Sequence, residues 1–82
     1  MRVRGAEVAL ATGTTKLDDT GAVWVINTGS AGLVTVRNAA DNADVGSIRV
    51  GAGAGIILTL GAGEGLRGAS TIKGTPIVAV GF

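Results

Sequence analysis

The chain has no cysteine and no histidine among its 82 residues, no tyrosine, and only one proline, one tryptophan and one phenylalanine. Without cysteine or histidine there are no disulfides, no thiolate chemistry and none of the usual zinc ligand sets. A serine nucleophile at Ser30, Ser47 or Ser70 has no imidazole to activate it, and no GxSxG elbow occurs. Lys16 and Lys73 are the remaining candidate bases, but a domain of small side chains rarely encloses a reactive pocket. The expectation is a protein that is not an enzyme and carries no cofactor.

Charge of one sign is missing too. Seven Lys and Arg face six Asp and Glu, a net of +1, which gives no long-range pull towards nucleic acid or an anionic membrane. With Trp24 and Phe82 as the only aromatics there is no platform for stacking single-stranded bases. No apolar run approaches the ~20 residues of a membrane helix. The opening MRVRGAEVALATGTTKL, interrupted by Glu7, lacks the apolar core of a signal peptide. Neither nucleic acid nor membrane is expected as a partner.

Glycine is what the chain has in excess: 15 of 82 residues, against a usual share of about 7%. Hydrophobic residues make up 46%, so the polar signature of disorder is absent. Gly scattered among Val, Ile, Thr and Ala predicts short strands with tight turns and close backbone contacts. Helix signals are nearly lacking. The best candidate, RNAADNAD at residues 37–44, is rich in Asn and Asp that compete for backbone hydrogen bonds, and reads as a turn, with a single helical turn as the alternative.

Alternation places strands at residues 3–11, 23–28, 32–38, 45–50, 56–60 and 77–82, with a weaker strand or extended arm at 66–73. Val23 and Val25 share one face and Trp24 and Ile26 the other, so both faces are expected to be covered. Val34 and Val36 share a face, Ile48 and Val50 point inward, and Ile56, Leu58 and Leu60 align. TGSAG (28–32) has the length of a hairpin loop, GAGAG (51–55) and GAGEG (61–65) make corners, and Gly74, Thr75 and Pro76 punctuate the last third. The whole predicts one all-β domain over residues 1–82, a compact antiparallel β-sandwich or small barrel of six to eight short strands, with residues 1–6 as an extended arm. A domain this small hides only about 60–65% of its unfolded surface, so association is the expected source of extra stability.

GEGLRG at residues 63–68 matches GxGxxG, but a dinucleotide loop must open a helix, and the β-branched residues, Gly74 and Pro76 that follow make none. It reads as a structural turn. The acidic pairs Asp18 with Asp19 and Asp41 with Asp44 read as solvated turn carboxylates, a weak cation site being the alternative. Trp24 is expected in the core or at a subunit interface, with stacking on a sugar as the other option. Arginine suits bidentate contacts at interfaces. The interface candidates are therefore Arg2, Arg4, Trp24, Arg37, Arg49, Arg67 and Phe82.

The succession VWVINTGSAGLVTVRNA, GSIRV, IILTL and LRGASTIKGTPIVAVGF resembles small β-rich virion proteins of tailed bacteriophages, over roughly residues 22–82. The resemblance implies a capsid decoration, or cement, protein. Such a protein works as a homotrimer, clamps neighbouring major capsid subunits, and resides on the virion surface after synthesis in the host cytoplasm. It carries no site motif to transfer. A phage tail, fibre or head-fibre module that contacts the host, and a small carbohydrate-binding module, are the alternatives.

Overall fold

A computed structural model describes residues 2–17 and 21–78. Eight strands form: β1 (Arg2–Val3), β2 (Val8–Ala9), β3 (Ala22–Asn27), β4 (Gly32–Arg37), β5 (Asp44–Val50), β6 (Gly55–Thr59), β7 (Gly65–Arg67) and β8 (Ile72–Val78). All pairing is antiparallel and there is no helix among the described residues. One sheet runs β1-β8-β3-β6, with β2 also on β8; the other runs β5-β4-β7. The two face each other as a small sandwich. Val23, Val25 and Ile72 from the first sheet meet Val34, Val50 and Leu66 from the second, and Leu10 and Leu60 complete the buried cluster.

Alternation explains which side chains enter that core. Val23 and Val25 are fully buried, whereas Trp24 and Ile26 lie half-buried on the outer face. Across from Trp24 stand Ile57 and Thr75, and the indole lies over Gly55, where a Cβ would come within 2.6 Å of its Cη2. The missing side chain makes room for the ring.

Connectivity differs from the expected hairpin. β3 pairs with β6 and β8, and β4 with β5 and β7, so residues 28–31 carry the chain from one sheet to the other. Asn27 holds that crossing. Its Nδ2 donates to the carbonyls of Ser30 (2.7 Å) and Val50 (2.9 Å), and its Oδ1 accepts from the Gly29 N–H (2.9 Å). Its backbone also bonds both ways with the next corner, N–H to Ala54 and carbonyl from Gly53. RNAADNAD does turn a hairpin, between β4 and β5, with Asp41 in the left-handed region at φ 56°. In GAGAG and GAGEG the fourth residue donates back to the first, and the third, Gly53 or Gly63, takes the positive φ that such turns need.

Four further expectations are corrected. Residues 66–73 are not one strand: β7 ends at Arg67, and Ile72 opens β8 in the other sheet. Gly74, Thr75 and Pro76 do not break the chain but lie inside β8. Gly74 is required there because a Cβ would meet Leu17 Cδ1 at 2.9 Å and Val23 Cγ1 at 3.3 Å. Residues 3–11 form two short strands rather than one, both along the same side of β8. The interruption falls at Pro76, whose carbonyl accepts from Arg4 N–H (2.8 Å) but whose ring nitrogen has no hydrogen to return. The expected closing strand begins earlier, at Ile72; residues 79–82 lie outside the described residues.

Candidate functional site

The two flanks of the sandwich are finished differently. On one, β1 and β2 cover β8, and Thr15 forms a bridge to Leu66 of β7. On the other, β5 and β6 end their sheets with no strand beyond them among the described residues. Six of the seven β5 residues are exposed. Val45 is 59%, Ile48 42% and Ile57 47% exposed. Ile48 does take the inward register, opposite Val34, but at the edge of its sheet none of the described residues closes over it. Its expected burial is overturned by position, not by facing. Ile56 and Leu58, on the inner face of β6, stay half-buried.

The outer face of the smaller sheet carries the polar chemistry. Arg37 is enclosed by its own turn: Nε donates to Asp41 Oδ1 (3.0 Å), Nη1 to Asp44 Oδ1 (2.8 Å) and Nη2 to the Asp41 carbonyl (2.9 Å). Asp41 Oδ1 also accepts the Thr14 hydroxyl at 2.6 Å, and Lys16 Nζ donates to the Ala39 carbonyl at 2.9 Å. The Thr14 hydrogen bond first, then that from Arg37, hold the Asp41 carboxyl below the usual carboxylate range. Asp44 and then Asp41, through hydrogen bonds, raise the Arg37 pKa further. Arg67 joins from β7, Nε to the Thr14 hydroxyl (2.8 Å) and Nη2 to Asp41 (3.5 Å).

The sequence-derived interface candidates therefore divide. Arg37 and Arg67 meet around Asp41, and Arg49 shares their face, opposite Leu33. Trp24 lies on the outer face of the other sheet. Arg2 and Arg4 run along the covered flank, paired with their own chain's β8. Phe82, Asp18 and Asp19 lie outside the described residues. Asp41 and Asp44 are committed to arginine, and no three acidic groups converge among the described residues. GEGLRG opens a strand, not a helix, so its amides present no helix N-terminus. Lys73 Nζ donates to the Ser70 carbonyl (2.8 Å). Among the described residues no helix is long and apolar enough to cross a membrane.

Two residues that organise these contacts escaped the sequence reading. Thr14 and Asn27 are ordinary polar residues whose partners lie 27 and 23 positions away. The only signal was local: Asn just before Thr-Gly-Ser favours an Asx-type turn. No family model, curated protein or solved structure matches this chain.

Proposed function

We propose that this protein is a structural component of a virion, a capsid decoration protein that acts as a homotrimer and binds the major capsid protein. The observation that carries the reading is the unequal finish of the two flanks. A chain with a small core leaves Val45, Ile48 and Ile57 exposed beside two sheet edges that no strand among the described residues caps. Natural edges are usually shielded by Lys, Pro, bulges or a covering segment. Here β5 and β6 contain neither Lys nor Pro, and the register shift that leaves Val45 of β5 as an extra residue between Gly46 and Asp44 bulges only the start of that strand, so Gly46–Val50 keeps a regular edge. Packing that flank against copies of the chain buries the apolar surface and adds backbone pairing. The three-fold order and the capsid come from the likeness to virion proteins; the flank supports association itself.

The functional test uses particles purified with and without this protein and heated while genome release is followed. Earlier release without the protein is the expected result. An unchanged release temperature contradicts decoration, and loss of host adsorption with an intact shell would favour a tail or fibre position instead.

A further inference from the structure

The geometry points to a carboxylate-binding site beside Arg67, which takes an acidic side chain of a partner protein. An open basin of about 420 Å³ lies on the outer face of the smaller sheet, lined by Thr12, Leu33, Thr35, Arg67, Gly68 and Ala69. The guanidinium at its wall is already oriented. Thr14 takes Nε and Asp41 takes one side of Nη2, while Nη1 has no hydrogen-bond partner among the described residues. A guanidinium fixed on one edge and open on the other presents the planar fork that matches a carboxylate. Holding it in advance also lowers the entropy lost on binding.

The remaining lining suits a side chain more than a bare ion. The Thr12 and Thr35 hydroxyls offer hydrogen bonds, and half-exposed Leu33 with Ala69 offers an apolar wall for the methylenes of Glu. Gly68 sits beneath, where a Cβ would press on Leu10 Cδ1 at 3.1 Å.

Charge favours the same ligand. Three guanidiniums, Arg37, Arg49 and Arg67, share this face with two carboxylates, and Arg37 engages both of those. Arg49 has no partner among the described residues and stands diagonally across β4 from Arg67, two strand spacings over and two residues along, roughly 12 Å. Arg37 differs from Arg67 in having every nitrogen bonded, so it is a support and not a contact. That the partner is a shell subunit rests on the function proposed above; the chemistry of the site does not.

The test is an NMR titration of the full-length ¹⁵N-labelled chain with a blocked peptide, Ala-Leu-Glu-Leu-Ala, its Gln counterpart and inorganic phosphate. The Glu peptide is expected to shift the amides of Thr12, Thr35 and Ala69 and the Arg67 Nε–H. Replacing Glu by Gln, or Arg67→Gln in the protein, is expected to weaken binding by about tenfold or more, the scale of one charge-assisted hydrogen bond. Arg67→Lys keeps the charge without the fork; with native spectral dispersion retained, it should bind more weakly than wild type. Equal affinity for the Glu and Gln peptides, equal affinity in Arg67→Gln, or phosphate binding there as tightly as the Glu peptide would overturn the site. Native mass measured on the same samples separates the two claims. A monomer that binds the peptide refutes the assembly and keeps the site, and a trimer indifferent to it does the reverse.

Discussion

At the scale of single residues, Asn27 and Asp41 each join chain segments that are distant in sequence. Asn27 is fully buried, and its amide satisfies two carbonyls and one N–H across both corners. Asn27→Leu strands those groups, so stability should fall by roughly 2–4 kcal/mol, read as a lower denaturant midpoint at unchanged m. Asp41 works by charge. Its folded pKa is depressed, so its contribution is present above the unfolded value of about 3.9 and is lost as pH falls through the folded value below it. Denaturant midpoints should therefore drop more steeply below about pH 4 in wild type than in Asp41→Asn. Asn also tolerates the left-handed φ, which leaves the turn backbone comparable in the two proteins. Residue type alone made Arg37 and Arg67 equal candidates for an interface. That Asp41 closes one and leaves the other half-open depends on Thr14 arriving from 27 residues away.

At the scale of elements, strand facing was written in the sequence and strand partnership was not. The period of two put Val23 and Val25 on one face and Trp24 and Ile26 on the other, though it did not say which face the core would take. Alternation says nothing about which sheet a strand joins, so residues 28–31 looked like a hairpin loop although they cross between sheets. Gly74 misled for a related reason: a glycine that serves a turn and one that serves a close approach look alike in sequence. Gly74→Ala should cost roughly 1–3 kcal/mol because Leu17 and Val23 cannot both retreat from the new methyl. Gly13→Ala is the control, with no atom within 4 Å of its Cβ, and should stay within about 0.5 kcal/mol of wild type. Thermal or chemical melts of the two variants decide the point.

At the scale of the whole molecule, the sandwich is compact, with a radius of gyration of 11.5 Å against about 12 Å for a globular chain of this length. Compactness does not close it. The N-terminal segment covers the β8 and β7 side, while among the described residues β5 and β6 remain edges with apolar side chains beside them. Size and the lack of cysteine lead to the proposal of association, but the exposure of the β5 edge was not legible, because Ile48 follows the pattern of a buried residue. The most direct test of the account is native mass by light scattering across a concentration series, for wild type and Ile48→Lys. The account predicts a wild-type species near three times 8.0 kDa and a folded Ile48→Lys species at the monomer mass. A wild-type chain that stays a folded monomer throughout, or an Ile48→Lys variant that assembles as wild type does, would contradict it.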